Sequence, residues 1–521
     1  MRQQKTTINR FRILLFAVLM LVGSTSAGWA ATYYVSPSGN NTNNGTSTSA
    51  AFKTVQKALD VVRPGDTVNI MAGTYSEALV LKTTGSRNSR ITIKNYDNGS
   101  VTISSGNSRA VRLGVSQVGY YTFSGLNFVS NFVGAYTGDK DYSIDLGIGN
   151  SWWGYGPPSD NAAKVTDDSN GNNGHIIENC NITGSVGIMG HFNIVRNCTF
   201  DGKKSFTNAI HDIAIVSHNN TYTNNTIANY TQRGIWSMSN VSDNVITYND
   251  ISHYSLNHDA GAIDLDGAWL PVQNIRVAYN TIHDPDAYAS TGILLENGMN
   301  SIIDGNIIYN TKDGIASLTY TKSGSGGNYA FGYYDFQSYD PSHLVAGVPY
   351  VTNNIFMNNL IYNTSLNGIQ LNSTWNEFVY NNTFYNCNGQ FGAIALTNGG
   401  TWVGTRNITI QNNIIANSSS GVMVESGGSI LLQTNNLFYG NKSNGQTGSS
   451  YQTGNPMFAD PGAFKFALTT GSSAIGKGAA ISTVTTDILG KARPKGSNDI
   501  GAYAFATQSK LPPPRNLIVV R

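Results

Sequence analysis

The chain has 521 residues, only 12% of them charged, and a formal net charge of +2. It carries no Lys/Arg clusters that would release counterions from a phosphate backbone, which excludes a nucleic-acid partner. Three Cys in so long a chain exclude a disulfide framework, while 56 Gly and 28 Tyr among many Asn, Ser and Thr fit short strands joined by tight turns.

Residues 1–30 read as a secretory signal. Arg2, Lys5, Arg10 and Arg12 precede an apolar run from Ile13 to Val22, and small residues follow it. The run is too short to span a membrane. Cleavage near Ala30 would leave a monomer with no membrane span, extracellular or periplasmic.

Residues 31–90 form an N-terminal cap and a first coil. A strand and polar loop over 32–48 lead to an amphipathic helix, Thr54 to Val62, with Val55, Ala58, Leu59 and Val62 on one face. Pro64, Gly65 and Asp66 end it. The first coil begins at Thr67. A helix laid over the first coil would hide a sheet edge that otherwise invites pairing with other chains.

Residues 91–440 restate one unit. An Asn-x-(Ile/Phe) element recurs at Asn225, Asn249, Asn280, Asn306, Asn359, Asn382, Asn413 and Asn436. The steps run from 23 residues (359 to 382) to 31 (249 to 280), except for one of 53 (306 to 359). A propeller blade needs about 40–50 residues, whereas a turn of about 25 holds two or three short strands, one coil of a parallel β-helix. Coils stack about 4.8 Å apart. An inward Asn at a bend therefore meets its own copy above and below, and the amides satisfy one another. Cys180 and Cys198 fall in the same column, as stacked buried thiols or as a bridge.

Two insertions break the rhythm, near 134–174 and 320–350. The first carries Trp152 and Trp153, and the second Tyr333 and Tyr334. Long aromatic loops suit groove walls that bind sugar rings. Residues 441–505 read as a C-terminal cap over the last coil. Residues 506–521 read as a Pro-rich linker (Leu511 to Pro514) and a strand-like tail.

The stretch from Tyr33 to Glu77 resembles the opening of secreted right-handed parallel β-helix proteins of the polysaccharide lyase and glycoside hydrolase type. The closing signature resembles theirs too: Asn455-Pro456, Phe466, Gly471-Ser472, Asp487, Arg493-Pro494 and Asp499-Ile500-Gly501-Ala502-Tyr503. The resemblance implies an all-β, right-handed parallel β-helix with an N-terminal capping helix. It implies a polysaccharide partner, and it does not choose a reaction.

Candidate chemistry follows from alternation. In strands such as Gly292-Ile293-Leu294-Leu295-Glu296, Ile293 and Leu295 face the core and the others face out. The outward columns then read Met189/His191, His211, Trp236/Met238, Asp264/Asp266, Leu294/Glu296, Ala316/Leu318, Gln370/Asn372, Ala395/Thr397 and Met423/Glu425. Asp264, Asp266 and Glu296 are therefore expected in one solvent-open groove. His211, Arg233, Trp236 and Lys312 should lie near them. Two carboxylates about 5–5.5 Å apart suit a retaining glycosidase, and about 6.5–9.5 Å an inverting one. The other role open to the three carboxylates is a Ca²⁺ cage. Lyases of the resembled type use a Lys or Arg base. Asp264-Leu265-Asp266 looks like the acidic pair of one such group, but its following Lys is Gly267 here. Lys312 is then the first candidate base, with Arg233 and His211 beside it. Trp152, Trp153, Trp236, Tyr333 and Tyr334 are the candidate sugar contacts. The expectation is a secreted enzyme that cleaves or modifies a polysaccharide, as lyase or glycoside hydrolase. The alternative is a non-catalytic solenoid that binds polysaccharide at a cell surface or in a matrix.

Overall fold

The computed structural model describes residues 30–114, 118–131, 143–146, 173–212, 217–238, 241–255, 260–267, 271–286, 290–319, 352–398, 404–493 and 498–505. The segment read as a secretory signal (but for Ala30), Trp152, Trp153, Tyr333, Tyr334 and the segment read as a tail lie outside them.

Among the described residues, three long parallel sheets of 14, 13 and 12 strands run the length of the molecule. One coil shows the plan. Arg276–Ala278 lies in the first sheet, Thr281–His283 in the second and Thr291–Glu296 in the third, before Ile302–Asp304 re-enters the first. Each strand pairs in parallel with its copy one coil away. This is a parallel β-helix.

The corner between the first and second sheets is made by one residue in the left-handed backbone region, followed by the ladder position. Asn224, Tyr248, Tyr279, Gly305, Asn358, Asn381, Asn412 and Asn435 supply the positive φ. The next residue points inward. Asn225, Asn249, Asn280, Asn306, Asn359, Asn382, Asn413 and Asn436 are all buried, at 2% exposure or less. Asn280 Nδ2 donates to Asn306 Oδ1 at 3.0 Å and to the Ile246 carbonyl at 2.9 Å, and its backbone N–H donates to the same Asn306 Oδ1 at 3.0 Å. Asn306 repeats this toward Asn359. Upstream, Cys198 N–H donates to Asn225 Oδ1. Cys198 and Cys180 are buried free thiols in the column. Asn306→Ala would orphan the Nδ2 and N–H of Asn280. We expect a loss of about 1–3 kcal/mol in urea denaturation; an unchanged midpoint would mean the ladder carries no net stability.

The sequence did not disclose a second polar column, at the corner that re-enters the first sheet. Asn193 N–H donates to Asn220 Oδ1, and Asn220 N–H to Asn244 Oδ1. Asn220 and Asn244 also donate to Asp212, which is fully buried and faces the interior. Burial pushes Asp212 up to about 7, although its hydrogen bonds oppose the shift. Its folded value lies above the ordinary carboxylate value of 3.8, so stability falls as pH rises from 3.8 to about 7. Asp212→Asn does not titrate. Relative to wild type it should gain stability between pH 4.5 and pH 8, by about 1.4 kcal/mol per unit of raised pKa. Parallel denaturation midpoints at the two pH values test this, and a gap that does not change would refute it.

The N-terminal cap is present but shorter than expected. The helix is Val55–Leu59, capped by the Thr54 side chain. Val61 and Val62 both return their N–H to Ala58, which ends the regular helix. Val55, Ala58, Leu59 and Val62 are all buried. The Gln56 side chain gives the edge strand Leu79–Leu81 the two bonds another strand would give it. Its Oε1 accepts from Val80 N–H at 2.7 Å, and its Nε2 donates to the Val80 carbonyl at 3.2 Å. The solenoid starts earlier than Thr67, because Thr32–Val35 already pairs with Thr67–Ile70.

Two further expectations are corrected. Ile144–Leu146, inside the stretch read as an insertion, is a rung of the third sheet, paired with Val186–Ile188. Residues 458–505 do not simply close the C-terminal end. They turn back along the flank, where Leu468, Ala474 and Ile500 pack on Ile414, Ala416 and Leu437. Phe466, Ile488 and Ala502 pack on Leu360 and Tyr362, and Val484 on Met357 and Tyr380. The cause is the outer face of the first two sheets in these coils, which is apolar and needs a cover.

Candidate active site

The outward columns of the third sheet fall in the register read from the sequence, from His211 onward. His211 neighbours Trp236, Trp236 neighbours Asp264, and Asp264 neighbours Leu294. Beside them run Met238, Asp266, Glu296 and Leu318. Upstream the reading slips by two. Gly187, rather than Met189, stands next to His211, and His191 lies beyond the strand, stacked on His218 at 5.2 Å.

Asp264 does not face open solvent. It is 1% exposed, wedged between Trp236 and Leu294 in its column, and Arg233 Nε donates to its Oδ2 at 2.5 Å. Its Oδ1 is buried with no hydrogen-bond partner among the described residues. Burial raises Asp264 to about 6, Arg233 pulls it down, and Asp266 pushes it up. Burial disfavours the Arg233 cation, but the Asp264 charge more than reverses this, with Asp266 and Glu296 adding to the effect.

Trp236 is part of the same packing. His211 stacks on it at 4.1 Å and 9°, and the Arg233 guanidinium lies 4.3 Å from its ring centre. It is therefore packed inside the cluster and does not present an open platform. Its Nε1 donates to Asp266 Oδ2 at 3.3 Å. His211 is buried and held near 3, first by burial and then by the Arg233 charge. It stays neutral at ordinary pH, so it supports Trp236 and does not carry protons there.

Asp266 and Glu296 are half-buried, at the same height on adjacent coils. One coil step sets them about 5 Å apart at the backbone. Gly267 follows Asp266 for a steric reason: a Cβ there would lie 2.3 Å from the Glu296 carbonyl oxygen. A Lys cannot occupy this place. Lys312 sits at the corner before Ile315–Leu318, one coil beyond Glu296. His283 and Asp284 lie around the corner on the outer face of the second sheet, where His283 binds Asp250 at 3.0 Å and Asp284 at 2.8 Å.

One residue pair escaped the sequence reading. Asp145, 1% exposed and paired with Arg109, stands in the Asp264 column four coils upstream. The signal was available: Ile144-Asp145-Leu146 repeats Ile263-Asp264-Leu265.

A family model described as "Right handed beta helix region" matches residues 268–457. The chain is a right-handed parallel β-helix. A second family model, "Protein of unknown function (DUF1565)", matches residues 37–82 of this β-helix protein. Uncharacterized protein YwoF of Bacillus subtilis (strain 168) is 42% identical over 71 residues, which is 14% of this chain and 15% of that protein. The match thus spans about 15% of the length of the curated relative. Among solved structures, XylC in complex with xylose superposes with a TM-score of 0.51 at 12% identity, over 91% of this chain and 98% of its own. The PL6 family alginate lyase AlyGC gives 0.50 at 14%, over 93% and 60%. At this identity the likeness is one of fold. No helix among the described residues of the β-helix protein is long and apolar enough to cross a membrane.

Proposed function

We propose that this β-helix protein is a secreted enzyme that cleaves a polysaccharide across the outer face of its third sheet. The observation that carries this reading is the buried Arg233–Asp264 ion pair beside the more accessible Asp266 and Glu296. A desolvated ion pair on the outward side of a sheet contributes little net stability by itself. Titratable groups shifted in this way cluster at functional sites.

The arrangement favours hydrolysis over elimination. Asp266 and Glu296, one coil apart, approach the spacing of a retaining acid/base and nucleophile pair. Of the cations that an elimination could use as base, Arg233 is committed to Asp264, and Lys312 sits at a corner one coil beyond Glu296. The carboxylates fit a Ca²⁺ cage poorly. Arg233 occupies Asp264 Oδ2, and no group of three metal-ligating side chains occurs among the described residues. Turnover should therefore survive chelator.

Soluble xylan, alginate and polygalacturonate are the substrates to screen, reading both reducing ends and the absorbance of unsaturated product. New reducing ends without unsaturated product support the proposal. Unsaturated product would move it to a lyase with Lys312 as candidate base. Binding with neither product would make the chain a non-catalytic polysaccharide-binding solenoid.

A further inference from the structure

The corner between the first and second sheets presents a second row of side chains, one per coil, on the residues with positive φ. Over half its length this row is already occupied. Asn381 Nδ2 donates to the carbonyls of Asp499 and Gly501, Asn412 Nδ2 to that of Ala479, and Asn435 Nδ2 to that of Lys477. Asn358 Oδ1 accepts from Arg493. The described parts of the returning segment, 477–493 and 498–505, thus lie over the row, and Asn358, Asn381 and Asn412 are buried beneath them. Its reach ends at Tyr279, where Gly490 approaches the Tyr279 hydroxyl.

Beyond that point the row continues uncovered. Asn179, Asn197 and Asn224 are exposed, and Asn224 Nδ2 donates to Asn197 Oδ1 at 2.6 Å. Between the covered and open halves stands Tyr248. It stacks on Tyr279 at 5.2 Å and 15°, yet is 57% exposed. With one face on Tyr279, exposure of that size leaves the other face open, looking along the Asn row.

The stack on Tyr279 covers one face of Tyr248 and is the packing it gains from being Tyr. The φ of Tyr248 is +56°, a conformation that Asn and Gly adopt far more readily than an aromatic residue, and Asn holds this corner in most coils. Its exposure brings little burial in return. Backbone strain with only one ring face packed points to function.

We propose that Tyr248 and the open row Asn224, Asn197 and Asn179 bind an uncharged stretch of glycan, apart from the carboxylate cluster on the third sheet. A sugar ring stacks on the free face of Tyr248. Its hydroxyls meet Asn amides that carry no charge, at one amide per coil, as peptide groups of the returning segment do further along. The inference rests on the reading of this chain as a glycan-directed protein. It assigns a holding site that keeps a long chain engaged while another part of the polymer lies over the third sheet.

The test is binding of soluble xylan and of alginate, by affinity electrophoresis and calorimetry, to wild type, Tyr248→Asn and Tyr248→Phe. Tyr248→Asn restores the residue usual at this corner, so it should fold with an unchanged or higher midpoint. We expect xylan binding at least tenfold weaker in Tyr248→Asn and nearly intact in Tyr248→Phe, with turnover of a short oligosaccharide unchanged in both. Full binding by Tyr248→Asn would overturn this site and leave the proposed function standing. Failure of wild type to bind xylan would overturn this site, and the proposed function falls only if none of xylan, alginate and polygalacturonate is bound or cleaved. Binding of an extended polypeptide such as reduced casein, lost in Tyr248→Asn while glycans do not bind, would assign the row to peptide and overturn the proposal.

Discussion

Arg233→Met should destabilise the protein by about 3–5 kcal/mol at pH 8, because it leaves a buried carboxylate without its partner. Met keeps most of the side-chain volume against Trp236, so the loss reports charge more than packing. The pH dependence identifies the cause. Burial pushes Asp264 up to about 6 in the folded protein, from an ordinary carboxylate value of 3.8. Its folded value is raised, so stability declines as pH climbs from 3.8 to about 6 and then levels off. Without Arg233 the folded value rises further, and the decline continues to higher pH. The deficit of the variant should therefore be small at pH 4.5, where Asp264 takes up a proton in compensation, and open above pH 6. Urea denaturation at pH 4.5, 6 and 8 reads this directly. A deficit of equal size at all three values would mean that only the cation–π contact with Trp236 had been lost, worth about 0.5–2 kcal/mol. The account of the ion pair would then be wrong.

Asp266→Asn and Glu296→Gln carry the second large effect. Both residues are half-buried and reachable, and Asn and Gln keep shape while removing the proton chemistry. General acid–base catalysis contributes about two to four decades of rate. Each variant should lose that much in kcat on whichever polymer the wild type cleaves, with KM and the denaturation midpoint little changed. The first-formed sugar should keep the anomeric configuration of the substrate, the outcome for carboxyl groups that keep the one-coil spacing of their backbones, about 5 Å. Inversion, read by proton NMR early in the reaction, would show that the two groups work at a larger separation. A loss confined to KM would show that they bind sugar without reacting.

Much of this architecture was legible in the chain itself. The Asn-x-(Ile/Phe) spacing located all eight rungs of the ladder, because a buried amide tolerates no other register once its copies sit one coil apart. The alternation rule placed Trp236, Asp264, Asp266, Leu294 and Glu296 on the correct face for the same reason. What alternation cannot give is depth. Asp264 points outward as expected and is still buried, because Trp236 and Leu294 flank it from neighbouring coils and Arg233 folds over it. His191 was misplaced because its strand, Val186–Ile188, is too short to carry the pattern forward. The course of 458–505 was hidden as well. Its apolar residues look the same whether they cover an end or a flank, and only the outward Ile414, Leu360 and Tyr362 show which surface needs them.

The central claim is that polysaccharide is cut on the outer face of the third sheet between the coils of Trp236 and Glu296. The most direct measurement is a crystal structure of Asp266→Asn soaked with a short oligosaccharide of the polymer that the wild type cleaves. The account predicts a glycosidic oxygen within hydrogen-bonding distance of residue 266 or Glu296, and a sugar chain crossing the third sheet. An oligosaccharide found only along Asn179, Asn197 and Tyr248, with the third sheet bare, would contradict it.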